Sequence, residues 1–117
     1  MRLKLSVVLV LCLLAPATAS AEGVARWGSY STEDEFLEGS PTLVEGISEA
    51  EQVAPSEVAS YALLSDGKVM AFGNDDHGEL GDGTHTASAR PVEVRFPAGT
   101  TITSIGEAKE DGMAVDS

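Results

Sequence analysis

Asn74, Asp75, Asp76, His77, Glu79, Asp82 and His85 crowd into one short stretch of the chain. Carboxylate oxygens at this density are the donors that Ca²⁺ takes. Their spacing departs from the Asp-x-Asp/Asn-x-Asp/Asn-Gly loop, in which glycine holds the sixth position. They therefore read as a solvated acidic loop with no metal ligand assigned, and a metal-binding module stays as an alternative. His77 and His85 are the only histidines. No Gly-x-Ser-x-Gly elbow accompanies them to suggest acyl transfer, and no glycine-rich loop with lysine offers to cradle phosphate. The expectation is a chain that is not an enzyme and uses no cofactor. Asp75, Asp76 and His77 are instead candidate contacts to a protein partner. Tyr30 and Phe36, with Leu37, are their counterparts in an earlier loop, where Phe36 and Leu37 also suit internal packing. Glu33-Asp34-Glu35 reads as a solvated face.

The acidic loop must be held by the elements before it. Tyr61-Ala62-Leu63-Leu64 and Val69-Met70-Ala71-Phe72 are two short apolar runs on either side of Asp66-Gly67. That dipeptide suits a tight hairpin turn with both central positions at positive φ. Apolar runs flanking such a turn predict paired strands buried on both faces. Gly73, Gly78, Gly81 and Gly83 then punctuate a compact loop that Asn74 can brace. Elsewhere the apolar segments are short and bounded by Gly, Pro, Asp or Ser. One helical turn fits around Glu49-Ala50-Glu51, and Pro55 stops it from growing. The chain reads as all-β with long loops.

The N-terminus addresses the compartment. Arg2 and Lys4 precede an apolar run from Leu5 to Ala15, followed by Pro16 and the small residues Ala17 to Ala21. Ala19-x-Ala21 fits a signal-peptidase site with cleavage before Glu22, so residues 1–21 are expected to be a helical signal peptide. The run is shorter than the roughly 20 residues a membrane span needs. Leu11 before Cys12 does not fit lipoprotein processing. The mature chain is thus expected to be secreted, extracellular or periplasmic, with no membrane attachment after cleavage. The whole chain carries a formal charge of −12. Loss of Arg2 and Lys4 leaves five basic residues against nineteen acidic ones, or −14. Such a surface repels nucleic acid and anionic membranes. Cys12 is the only cysteine and departs with the leader. The remaining domain must rely on packing, assembly or a bound ion rather than disulfides.

The chain repeats itself. Val24-Ala25-Arg26-Trp27-Gly28 matches Val69-Met70-Ala71-Phe72-Gly73 at an offset of 45 residues. Pro41-Thr42-Leu43-Val44 matches Pro91-Val92-Glu93-Val94 at an offset of 50. Val53 matches Ile105, and Tyr61-Ala62-Leu63 matches Met113-Ala114-Val115, at an offset of 52. Units of this size suit propeller blades of four short strands. The second unit holds Ala62, Leu63, Asp66, Gly67, Val69, Phe72, Gly73, Asn74, Gly78, Leu80, Gly81, Gly83, Thr84, Pro91, Val94, Ile102 and Ile105 in a recurring pattern. That pattern resembles one repeat of the regulator of chromosome condensation family, in an exported bacterial-type member with two repeats. Phe72 stands where the family has Trp, and Glu79 where it has Gln. Gly106-Glu107-Ala108 departs from the family's small residues. The first unit keeps Trp27-Gly28 and loses the glycine loop over 31–40.

After the expected signal peptide over 1–21, the resemblance implies a degenerate propeller repeat over 22–68 and a full repeat over 69–117. It implies an incomplete or partial β-propeller of two blades of short antiparallel strands. Propellers close with 4–8 blades, so two repeats leave two readings. The chain is a fragment of a larger propeller, or copies assemble head to tail as a homo-oligomer. The implied function is an exported, non-catalytic module for protein–protein interaction with an unknown extracellular or envelope protein. One alternative is inhibition of a secreted or periplasmic hydrolase such as a β-lactamase. Ala59 to Leu63 and Asp66 to Val69 look similar to repeats of exported propeller-type inhibitors. The acidic-loop metal-binding module is the other.

Overall fold

A computed structural model of the chain describes residues 23–27 and 40–117. These residues form eight strands and no helix. β1 (Ala25–Arg26) and β2 (Thr42–Leu43) make a two-stranded sheet. β3 (Ala50–Pro55), β4 (Ala59–Leu64), β5 (Val69–Gly73) and β6 (Ser88–Glu93) follow as a four-stranded antiparallel meander. β7 (Ile102–Glu107) and β8 (Gly112–Asp116) make a second two-stranded sheet. The all-β reading holds. The leader over 1–21 lies outside the described residues.

The helical turn expected around Glu49-Ala50-Glu51 is not formed. Glu49 takes a positive φ of 57° and β3 starts at the next residue. Tertiary pairing with β4 outweighs a local preference worth only a few tenths of a kcal/mol per residue. The Asp66-Gly67 turn also differs in detail. Only Gly67 has positive φ, at 81°, while Asp66 does not. The Gly67 N–H donates to the Leu64 carbonyl at 3.0 Å, and the Leu64 N–H donates to the Lys68 carbonyl at 2.9 Å. This is a three-residue loop closed by a glycine bulge, in place of a two-residue turn. An acceptor bond explains the choice: Asp66 Oδ1 takes the Lys68 N–H at 3.0 Å, the geometry of an Asx turn.

β4 and β5 are buried on both faces. Tyr61, Leu63, Val69 and Ala71 pack on one side with Ala54, Ala59, Leu80, Ile102 and Ile105. Ala62 and Phe72 pack on the other with Val24, Val44 and Ile47. Period-2 alternation sends neighbouring residues to opposite faces, so a continuous apolar run needs a cover on each side. Ile102 and Ile105 of β7 supply one cover, and Val24, Val44 and Ile47, which flank the β1–β2 pair, supply the other. Gln52 fastens the first of these: its amide donates to the Ile105 carbonyl at 2.6 Å and accepts the Ile105 N–H at 2.9 Å. Arg26 sits 5.8 Å from the Phe72 ring centre on the opposite side.

The sequence repeat reappears as strand register. Ala25 pairs with Leu43 as Met70 pairs with Glu93. Val53 pairs with Ala62 as Ile105 pairs with Ala114. The irregularity between Ala50 and Gln52 recurs between Ile102 and Ser104. Even end bonds recur: Ser65 N–H donates to Glu49 O at 2.9 Å, and Ser117 N–H to Thr101 O at 3.0 Å. β1–β2 is therefore equivalent to β5–β6, and β7–β8 to β3–β4. One four-stranded sheet lies between two half-sheets. The family-like units expected from the sequence divide at 68/69, which lies inside the β4–β5 hairpin and not between sheets.

Leu80 is wholly buried beneath the glycine loop. Leu80→Ala should lower stability by about 2–5 kcal/mol, read as a fall in the urea midpoint of the far-UV circular dichroism transition. Leu80→Met should cost under about 1.5 kcal/mol.

Candidate functional site

The Gly73-to-Thr86 loop leaves the end of β5 and returns into β6. Gly81 takes a φ of 60°, and a Cβ there would meet Val94 Cγ1 at 2.9 Å. A side chain is therefore excluded twice, by sterics and by backbone conformation. The loop folds around Asp75, which is completely buried. Asp75 Oδ1 accepts the Leu80 N–H at 2.9 Å. Its Oδ2 accepts the Thr86 N–H at 3.0 Å and the Thr84 hydroxyl at 3.3 Å. A buried carboxylate persists only with such partners.

The residues singled out in sequence thus separate. Asp75 points inward and braces the loop. Asp76 is exposed and its Oδ2 accepts from Asn74 Nδ2 at 3.0 Å. His77 is exposed on the rim, with its Nδ1 3.3 Å from Glu79 Oε1. Tyr30 and Phe36 lie outside the described residues. Among the described residues, no three of His, Cys, Asp and Glu are placed to hold a metal ion. The loop carboxylates turn to separate backbone and hydroxyl donors: Asp82 Oδ1 takes the Thr84 N–H at 2.9 Å and its hydroxyl at 2.8 Å. These bonds lower the Asp82 pKa.

Beside this loop lies a cleft of about 270 Å³, between the four-stranded sheet and the β7–β8 half-sheet. Tyr61, Val94, Phe96 and Ile105 contribute apolar surface, while Glu110 and Asp111 give it an acidic rim and His77 lines it from the loop. Tyr61 is held by its hydroxyl, which donates to the Glu79 carbonyl at 2.8 Å. Burial, and then the nearby charges of Glu79, Asp111 and Asp75, raise the Tyr61 pKa. The phenol stays a neutral donor. Burial opposes ionisation of Glu79, but the His77 backbone N–H at 2.8 Å leads the hydrogen bonds that outweigh it, and the net pKa is lowered. Gly112 is forced by Tyr61: a Cβ at 112 would lie 2.8 Å from the ring's Cζ. Sequence reasoning missed this cleft. Glu110 and Asp111 follow the end of the glycine loop at Thr86 by 24 and 25 residues in the chain, and only the packing of β7 on β3 and β4 brings them opposite it.

Two measurements test this geometry. Asp75→Asn leaves one acceptor for three donors and turns an amide N–H₂ toward them. It should cost about 1–3 kcal/mol by chemical denaturation. Glu79, with its lowered pKa, stabilises the fold above the ordinary carboxylate range, and that contribution is lost as pH falls through the lowered value. The stability gap between the wild type and Glu79→Gln should therefore be largest near about pH 7 and shrink toward about pH 3.

The family model of the Regulator of chromosome condensation (RCC1) repeat matches residues 66–106. The human and mouse E3 ubiquitin-protein ligase HERC2 are each 34% identical over 76 residues, which is 63% of this chain and 2% of the ligase. Human WBSCR16 superposes with a TM-score of 0.61 at 18% identity, covering 72% of this chain and 24% of that one. The yeast RCC1 protein Prp20, solved bound to Kap60, superposes with a TM-score of 0.58 at 20% identity, covering 80% and 23%. The chain thus spans a small part of each protein it resembles. The match begins at the Asp66-Gly67 turn, runs through β5, the Asp75-braced loop, β6 and most of β7, and ends at Gly106. Residues 66–106 are a repeat of the regulator of chromosome condensation family, set in antiparallel sheets of the β-propeller type.

Proposed function

We propose that the chain is an exported, non-catalytic protein-interaction module, and that the cleft beside the glycine loop receives its partner. A protein-binding role at the coarse level accords with a repeat of this family and its propeller-type sheets. The observation that carries the finer reading is the cleft's composition. Its floor is aromatic and aliphatic, its rim carries Glu110 and Asp111, and its two buried polar groups are committed to loop backbone. Tyr61 holds a carbonyl and Glu79 holds an N–H, so both position the loop. A surface of this kind fits a segment that pairs an apolar side chain with Lys or Arg: the apolar group is desolvated against the floor while the cation meets the acidic rim. Loops on a rigid sheet are the ordinary place for such contacts. Export rests on the basic start, apolar run and Ala19-x-Ala21 site of the first 21 residues.

Fluorescence anisotropy with peptides carrying a central Leu or Phe flanked by Lys/Arg or by Glu tests the cleft. The basic set should bind, and the acidic set should not. Glu110→Gln with Asp111→Asn should weaken the basic set about fivefold, or roughly 1 kcal/mol, and flatten its salt dependence. Equal binding of both sets, or no effect of the double variant, would remove the cleft from the proposal. The secreted chain should begin at Glu22 by mass spectrometry, and retention of residues 1–21 would remove export.

A further inference from the structure

The chain holds three Asp-Gly dipeptides, at 66–67, 82–83 and 111–112. An aspartate followed by glycine rearranges without an enzyme, because the freedom of glycine lets its nitrogen reach the side chain before it. The glycine nitrogen bonds to the carboxyl carbon Cγ, and a carboxyl oxygen leaves as water with the amide proton. Water then opens the resulting succinimide at its α-carbonyl. The chain now runs through the former side chain, and the former peptide carbonyl has become a carboxylate. One water leaves and one returns, so isoaspartate has the mass of aspartate.

The fold treats the three sites differently. Asp66 Oδ1 accepts the Lys68 N–H at 3.0 Å, and its Oδ2 lies 4.0 Å from Lys68 Nζ. Asp82 Oδ1 accepts both the hydroxyl and the N–H of Thr84. Those bonds hold Asp82 ionised, the form that gives up its oxygen poorly. Asp111 is exposed, and among the described residues its carboxyl accepts no hydrogen bond and makes no ion pair. Its glycine is fixed by packing, since a Cβ at 112 would lie 2.8 Å from Tyr61 Cζ. The contact that shapes the cleft therefore keeps this dipeptide on its rim.

We propose that Asp111-Gly112 is a site of self-modification, which converts to isoaspartate in the folded chain ahead of the other two. The Asp111 carbonyl that becomes a carboxylate is the one that accepts the Ala108 N–H at 2.9 Å. Conversion adds a methylene to the backbone at this point, and so rebuilds the turn that carries Glu110 and seats Gly112 on the Tyr61 ring. The conversion needs no partner. Its effect on binding rests on the reading of the cleft given above: the converted rim holds a basic segment less tightly.

Peptide mapping tests the site on the whole chain, recovered from an exporting host and held for weeks at neutral pH. Trypsin places Asp66, Asp82 and Asp111 in three separate peptides, and electron-transfer fragmentation identifies the β-linked residue in each. Isoaspartate should form at Asp111 about tenfold faster than at Asp66 or Asp82, the worth of one hydrogen bond to a charged group. In urea the three rates should converge. Asp111→Glu, whose longer side chain does not close the five-membered ring, should not convert and should keep its initial peptide affinity. An Asp111 that stays unmodified, or one overtaken by Asp66 or Asp82 in the folded chain, would overturn the proposal. Rates that keep their order in urea would assign the difference to local sequence and overturn it as well. Undiminished affinity for the basic peptide after Asp111 has converted would overturn the effect on the rim. A fresh chain that does not bind the peptide would remove the cleft reading alone, and the order of the three rates would still decide the modification.

Discussion

Two-sided burial of the β4–β5 hairpin is the constraint from which the rest of this molecule follows. Each strand of the pair is apolar along its length, so neither face can be left to water. At about 25 cal/mol per Å² of apolar surface, exposing either face would remove several kcal/mol from a small core. The β7–β8 sheet covers one face, and the apolar residues flanking the β1–β2 pair cover the other. The order of the chain, half-sheet, full sheet, half-sheet, is the order in which those covers are delivered. This is also why the units expected from the sequence divide inside a hairpin and not between sheets. A repeat divided at the turn gives half of its strands to each neighbouring sheet, so consecutive units are stitched together by shared strands.

The glycine loop is the second dependent structure. Its path is set by a carboxyl group that never reaches solvent. Asp75 gathers two backbone N–H groups and a hydroxyl, and Leu80 is pressed into the core by the same turn. The loop then presents Glu79, whose backbone carbonyl holds the Tyr61 hydroxyl across the cleft. A carboxylate that looked like a surface contact is the loop's internal brace. The acidic character of the site passes to Glu110 and Asp111, which come from a different hairpin.

The same two-sided logic explains the exposed residues. Trp27, Met113 and Val115 are exposed where, among the described residues, no strand takes the place of the one that buries their equivalents in the four-stranded sheet. They are apolar because the repeat pattern makes them so, and their exposure measures what a neighbouring strand supplies.

By itself the sequence determined the all-β class, the strand–turn–strand core over 61–72 and the equivalences that became strand register. These are local properties: apolar runs, turn residues and fixed offsets are readable one stretch at a time. Residues 49–51 were misread, because strand pairing with distant residues overrode a weak local preference. The turn at Asp66-Gly67 was placed rightly and typed wrongly, because a single side-chain acceptor, Asp66 Oδ1, selects between loops that the same dipeptide allows. Asp75 carried a faint signal, an acid followed at five, nine and eleven residues by donors, which composition alone could not separate from Asp76. The tertiary structure alone decided which carboxylate is buried and where the cleft lies. Each of these depends on how one sheet stacks on the next, and stacking brings together residues whose separation in the chain leaves no pattern to read.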